Sequence, residues 1–133
     1  MPQLYPYRLF IRHALAYNDE YYALERRLLE YPNFLFRNYS VPEHDPFDNG
    51  TKLTKKLLDQ MEPVQVIIIL AGMYAARRDW IQFELDQAVR MGKPIIGVKP
   101  WGQERVPLSI QQHATVIHGW NIDPIVRSIR QLA

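Results

Sequence analysis

The sequence predicts an α/β fold built around one parallel sheet. Apolar segments of strand length alternate with segments of helical period along the chain, and such alternation is typical of parallel sheets with right-handed crossovers. The segment "VIIIL" is short, continuously apolar and rich in β-branched residues, which indicates a central strand buried on both faces. Five predicted strands in 133 residues favour a flavodoxin-like three-layer sandwich with strand order 2-1-3-4-5.

The first half of the chain supplies two strands, two helices and a long loop. Strands are predicted over Tyr7–His13 and Phe34–Tyr39. Apolar residues at helical spacing predict a helix over about Asn18–Glu30 and a second one over about Thr51–Met61. The segment "SVPEHDPFDNG" has two prolines and a closing Asn-Gly. It is too long for a simple connection, so we predict a functional loop there.

The second half begins with the central strand, "VQVIIILAG". A third helix is predicted over Trp80–Met91, ended by Gly92 and Pro94. The segments "PIIGVK" and "TVIHGW" are predicted as the fourth and fifth strands, with a loop over residues 100–112 between them. The closing helix, "DPIVRSIRQL", has Pro124 at a position resembling the first helical residue.

Composition narrows the class of protein further. The length fits a single domain over residues 1–133. The net charge is +2, and the basic residues are scattered along the sequence rather than clustered. This pattern does not indicate a nucleic-acid partner. The absence of cysteine excludes disulfides, a thiol nucleophile and Cys-ligated metals. No leader pattern or membrane-spanning apolar segment is present, so we predict a cytoplasmic protein without a membrane partner.

Glu84 is the residue that the helical pattern does not explain. In parallel sheets of this kind, ligands bind outside the carboxyl ends of the strands, where "RHALAY", "AGMYAARR" and the start of the third helix are predicted to lie. Helical spacing places Ile81, Leu85 and Ala88 on the buried stripe, with Glu84 beside it and Asp86 facing away. The carboxylate is therefore either a cap or an Arg partner on the helix flank, or a functional group.

Other side chains at the same edge have two interpretations each. Trp80 can stack on a ring of a ligand or belong to the core. Arg12, Arg77 and Arg78 can bind a pyrophosphate or remain solvated. His13 can hydrogen-bond a ribose or a base, or be a satisfied residue at a strand end.

The long loop and the histidines complete the set. His44 and Asp45 lie in the long loop, where turn chemistry is the alternative explanation. The four histidines lack the spacing of a zinc site, so no metal is predicted. Gly72 alone is too little for a dinucleotide-binding or phosphate-binding glycine loop, which argues against a dinucleotide-binding redox enzyme.

Three segments resemble a known family. They are "YRLFIRHA", "NYSVPEHDP" and "VIIILAGMYAARRDWIQFELDQAVRMGKPIIGVKPW", and they are similar to the TIR-like family of the Thoeris antiphage system, a branch of the Toll/interleukin-receptor (TIR) domains. The pattern "WIQFEL" is shared with TIR domains generally. The first segment has Arg12 where TIR domains commonly carry Ser.

The resemblance implies an enzyme that uses NAD as a substrate and needs no cofactor. Catalytic TIR domains cleave the bond between nicotinamide and ribose, and the acidic residue matching their catalytic position is Glu84. Thoeris TIR proteins make a cyclic ADP-ribose isomer or an ADP-ribose conjugate that activates a partner effector. The resemblance also implies a phage-derived trigger and allows a homo-oligomer. The substrate-binding residues expected with Glu84 are Phe10, Arg12, His13, Tyr39, Ser40, His44, Asp45, Tyr74, Arg77 and Trp80.

Two other functions are compatible with the same pattern. A nucleoside hydrolase or deoxyribosyltransferase also places a Glu beside a glycosidic bond, with a nucleotide in place of NAD. A non-catalytic TIR-like adaptor would act by assembly through the long loop and would have no need for Glu84. Product mass separates the first alternative from NAD cleavage, and Glu84 separates the second.

Overall fold

The protein forms one parallel sheet with helices around it. The computed structural model describes residues 6–11, 18–39, 58–70, 85–99 and 108–133. The strands are β1 (Tyr7–Ile11), β2 (Phe36–Asn38), β3 (Val66–Leu70), β4 (Ile95–Val98) and β5 (Val116–His118). They are hydrogen-bonded in the order β2-β1-β3-β4-β5, and every pairing is parallel. The predicted fold class and strand order are confirmed.

The helices occupy both faces of this sheet. They are α1 (Asn18–Glu30), α2 (described over residues 58–61), α3 (described over residues 85–90), α4 (Leu108–His113) and α5 (Ile122–Leu132). Helix α1 contacts α5, and α4 packs on β4. The right-handed crossover rule places α1 on one face and α2, α3 and α4 on the other, and α5 lies on the face of α1, which it contacts. None of the described helical segments is long and apolar enough to cross a membrane.

The core lies against both faces of the central strand. All five residues of β3 are buried, as expected for a parallel strand covered by helices on each side. Leu24 and Leu28 of α1 are 1% and 0% exposed, and Leu85 and Ala88 of α3 are 0% exposed. The helical spacing placed Leu85 and Ala88 on the buried stripe of α3, and this prediction is confirmed.

Helix α3 ends where the sequence predicts. Gly92 has φ 71°, which an L side chain adopts only with strain. The Lys93 N–H donates to Ala88 O at 2.9 Å, and the Gly92 N–H donates to Val89 O at 3.1 Å. This pair of bonds is a Schellman motif, which satisfies carbonyls that the last helical turn leaves free.

Part of the predicted loop over residues 100–112 is a helix. Residues Leu108–His113 form α4, so the loop interpretation is wrong there, while residues 100–107 lie outside the described part of the chain. A helix of six residues is too short to show a 3.6-residue period in the sequence. Among the residues of α4 whose side chains are described, Ile110 is fully buried and packs over β4.

The bounds of the second strand and of the closing helix also differ from the prediction. The second strand is Phe36–Asn38 rather than Phe34–Tyr39. Phe34 instead belongs to an aromatic cluster, in which its ring stacks on that of Tyr7 with centroids 5.4 Å apart. Pro124 is the third residue of α5 rather than the first. Proline is tolerated there as well, because the first helical N–H groups have no partner within the helix.

Gly97 permits the close packing of α4 on β4. A Cβ atom at this position would lie 3.1 Å from Ile110 Cγ2 and 3.3 Å from Ile117 Cγ1. We expect Gly97→Ala to lower the free energy of unfolding by about 1–3 kcal/mol, because the added methyl overpacks a filled space. Urea unfolding monitored by circular dichroism measures the change.

A double-mutant cycle checks the cause of that loss. Ile110→Leu moves the branch point away from the backbone and removes the Cγ2 methyl, so Gly97→Ala is expected to cost less in that background. Strictly additive effects of the two substitutions would show that the Ile110 methyl is not the obstacle.

Candidate active site at the carboxyl edge of the sheet

The structure describes two of the residues predicted to form the site, and they lie on neighbouring strands. Phe10 belongs to β1, and Tyr39 directly follows β2. The other predicted site residues lie outside the described residues: Arg12, His13, Ser40, His44, Asp45, Tyr74, Arg77, Trp80 and Glu84. Their roles stay predictions.

Phe10 and Tyr39 have different surroundings. The Phe10 side chain is 2% exposed and belongs to the hydrophobic core. Tyr39 is half-buried and packs against the edge of that core, and its N–H donates to Leu9 O at 2.8 Å. Phe10 is thus a core residue near the carboxyl end of β1. Substrate binding by either residue stays a prediction.

The carboxyl ends of β1 and β2 are joined by a polar side chain that the sequence analysis did not single out. The last residue pair between these strands is Leu9 with Asn38. Beyond it, the Ile11 N–H donates to Asn38 Oδ1 at 3.3 Å, and Asn38 Nδ2 donates to Glu25 Oε2 of α1 at 3.0 Å. Both bonds are partly buried. No local pattern predicts a contact between Asn38 and Ile11, which are 27 residues apart.

A second polar pair lies at the carboxyl end of β5. His118 Nε2 and Ser128 Oγ of α5 are hydrogen-bonded at 2.6 Å. Ser128 is 8% exposed, and burial lowers the pKa of His118 below its usual 6.5. The imidazole is therefore held in its neutral form and ties α5 to the last strand.

The pKa of His118 predicts a pH dependence of stability. The unfolded chain, with an ordinary histidine pKa near 6.5, binds more protons than the folded one as the pH falls below that value. The stabilising contribution is thus fully present above about pH 6.5 and is lost as the pH falls through the folded-state pKa. Urea unfolding between pH 7.5 and pH 5 is expected to show a steeper loss for the wild type than for His118→Gln. Parallel profiles would contradict the prediction.

At the amino edge of the sheet, β1 is hydrogen-bonded to the residue that precedes β3. The Arg8 N–H donates to Gln65 Oε1 at 3.0 Å, and the Gln65 N–H donates back to Arg8 O at 2.7 Å. This pair stabilises the edge opposite the predicted ligand side. Elsewhere, the Tyr31 hydroxyl donates to Asp123 Oδ1 in the first turn of α5 at 2.8 Å. That bond is the main reason why the pKa of Tyr31 is raised above 10.0.

No metal site is formed by the described residues. Within the described ranges, no group of three or more His, Asp or Glu side chains comes together in an arrangement that would hold a metal ion. The carboxylate, arginine and aromatic site that the sequence predicts stays a prediction.

The sheet order and the all-parallel pairing are those of an α/β protein with a TIR-like fold. The family model described as "Thoeris protein ThsB, TIR-like domain" matches residues 10–105. The chain belongs to this family, which supports a role in antiphage defence. A search of curated proteins found no match.

Proposed function

We propose that this protein cleaves NAD at the bond between nicotinamide and ribose. The observation that carries the proposal is the family match over residues 10–105, a segment that includes Glu84, the carboxyl end of β1 and the whole of β2 and β3. In a sheet of this order, the crevice between the first and third strands is the usual ligand position. The described strand ends at Ile11 and Leu70 directly precede predicted site segments.

The proposed chemistry suits a site with one essential carboxylate. The bond from the ribose C1′ to the nicotinamide nitrogen breaks, and its electron pair leaves with nicotinamide, which departs as a neutral molecule. Positive charge develops on the ribose as in other glycosidic cleavages. The Glu84 carboxylate would stabilise this charge or hold the ribose hydroxyls, and a preorganised group of this kind contributes about 3 kcal/mol or more.

The nucleophile that captures the ribose determines the product. Capture by water gives linear ADP-ribose and a proton. Capture by a hydroxyl or a ring nitrogen of the same molecule gives a cyclic ADP-ribose, provided that the site excludes water. Capture by a separate nucleophile gives a conjugate. We propose that the cyclic or conjugated product activates a partner effector in the same defence system.

Mass spectrometry of an NAD reaction tests this proposal. Purified protein is incubated with NAD, with and without extract from phage-infected cells, because a phage-derived trigger is expected. Release of nicotinamide with an ADP-ribose species supports the proposal, and a cyclic product is lighter than linear ADP-ribose by one water. Cleavage of nucleoside monophosphates instead of NAD would favour the nucleotide glycosidase alternative. No turnover of either substrate under both conditions would favour the adaptor.

A further inference from the structure

The Asn38 side chain connects three elements at the carboxyl edge of the sheet. Its Oδ1 accepts a hydrogen bond from the Ile11 N–H of β1, and its Nδ2 donates one to Glu25 Oε2 of α1. Asn38 itself is the last residue of β2. A single amide group thus fixes a helix and two strand ends relative to one another.

The bond to Ile11 extends the β1–β2 ladder with a side chain. The Tyr7 N–H donates to Leu35 O, and Leu9 O accepts from the Tyr39 N–H, so alternate residues of β1 direct their hydrogen-bonding groups toward β2. Ile11 is the next residue in that alternation. Its N–H is bonded to Asn38 Oδ1, so this position of the ladder has a side-chain acceptor.

Glu25 determines which way the Asn38 amide points. A carboxylate accepts hydrogen bonds and cannot donate them, so it selects the NH2 end of the amide and leaves the oxygen for the Ile11 N–H. The bond at 3.0 Å is charge-assisted and stronger than one between neutral groups. The orientation of the acceptor that holds Ile11 is therefore set from α1.

The two strand ends that Asn38 joins lead directly into the predicted substrate-binding residues. Ile11 is followed by Arg12 and His13, and Asn38 is followed by Tyr39 and Ser40. We infer that Asn38, oriented by Glu25, is a positioning residue for the NAD site, because it fixes the ends of β1 and β2 from which these residues extend. The inference rests on the proposed function. It adds a residue pair that acts on substrate affinity without contacting the reacting atoms.

A charge-swap series tests this role. Asn38→Asp keeps an acceptor for the Ile11 N–H but places a second carboxylate against Glu25. We expect its KM for NAD to rise at least tenfold, with kcat changed less than threefold. Adding Glu25→Gln to Asn38→Asp restores a donor and an acceptor in reversed order, and KM should return to within threefold of the wild type. Glu25→Ala, a milder change on the helix surface, should raise KM about threefold.

Gln65, which directly precedes β3, supplies a matched control because it also bonds to β1. Its side chain also accepts a hydrogen bond from a β1 N–H, that of Arg8, at 3.0 Å, but at the amino end of the strand. Gln65→Ala and Asn38→Ala each remove one such acceptor, so comparable falls in Tm are expected. Only Asn38→Ala should raise KM, while Gln65→Ala should leave it within twofold.

The outcomes separate the inference from the proposed function. If the wild type consumes no NAD in a Glu84-dependent way, both fail, and this is seen before any Asn38 variant is compared. If the wild type is active and the Asn38 and Glu25 variants keep its KM, the inference alone is overturned. The same holds if Gln65→Ala raises KM as much as Asn38→Ala, since loss of stability would then explain both.

Discussion

A Glu84→Gln protein is expected to lose NAD cleavage by a factor of a hundred or more. The substitution keeps the size of the side chain and removes its negative charge, so it removes stabilisation of the positive charge that develops on the ribose. A preorganised electrostatic group contributes about 3 kcal/mol or more to the transition state, which corresponds to roughly a hundredfold or larger change in rate. The measurement is nicotinamide release under conditions in which the wild type is active.

Asp86→Asn provides the control for this substitution. Asp86 is an exposed carboxylate in the described part of α3, two positions after Glu84 in the sequence. Its neutralisation makes the same change in net charge and should leave activity within about threefold of the wild type. Full NAD cleavage by a Glu84→Gln protein with normal circular dichroism and Tm would remove Glu84 from the mechanism. Equal losses in both variants would indicate a general charge effect.

Leu28→Ala is expected to be the more damaging of two adjacent leucine substitutions in α1. Leu28 is 0% exposed and belongs to the core, whereas Leu29 is 66% exposed. Truncation of a buried leucine loses transfer free energy and leaves a cavity, so Leu28→Ala should lower the free energy of unfolding by about 2–5 kcal/mol. Because the two residues are in the same helix, the change in helix propensity is nearly the same for both.

Leu29→Ala should change the free energy of unfolding by no more than about 0.5 kcal/mol, as is usual for exposed positions. Denaturant unfolding of both variants gives the comparison, with the slope against denaturant checked for a common denatured state. Equal losses would mean that α1 is rotated relative to the sheet or that Leu29 is covered in an assembly. A change in Leu29→Ala that depends on protein concentration would identify the assembly.

The order of the strands could be predicted from the sequence because the clearest sequence patterns are those of the elements that determine the fold. The apolar β3 segment and the alternation of strands with helices leave few topologies once crossovers are right-handed. The buried positions Leu85 and Ala88 followed from the helical period, and the end of α3 followed from Gly92. Each of these features depends on residues close together in the sequence.

The features that escaped prediction depend on distant residues or on short segments. Helix α4 has six residues, which is too few for periodicity to reveal. Phe34 was included in the second strand because an apolar residue has the same pattern in a strand and in an aromatic cluster. The Asn38 bridge joins residues 27 and 13 positions apart, and nothing in the local sequence marks it.

The sequence predicts the candidate site as a place and as a set of residue types, and both stay predictions. The placement at the carboxyl edge follows from the fold class, and the choice of Glu84 follows from a charged residue beside a buried helical stripe together with the family resemblance. The orientation of such side chains depends on loop conformation, which a periodic pattern does not encode. The role of each site residue is therefore to be decided by experiments such as the Glu84→Gln substitution.

The two outer strands of the sheet limit how copies of this protein can associate. Strands β2 and β5 are three residues long, and β2 carries the exposed Arg37. A neighbouring chain that added a strand at either side would find only a short run of main-chain groups and, at β2, a charge to displace. Fibril-like growth by strand addition is thereby disfavoured. A signalling assembly of this protein would instead form through contacts between side-chain surfaces. Such contacts can form when a trigger is present and separate when it is absent.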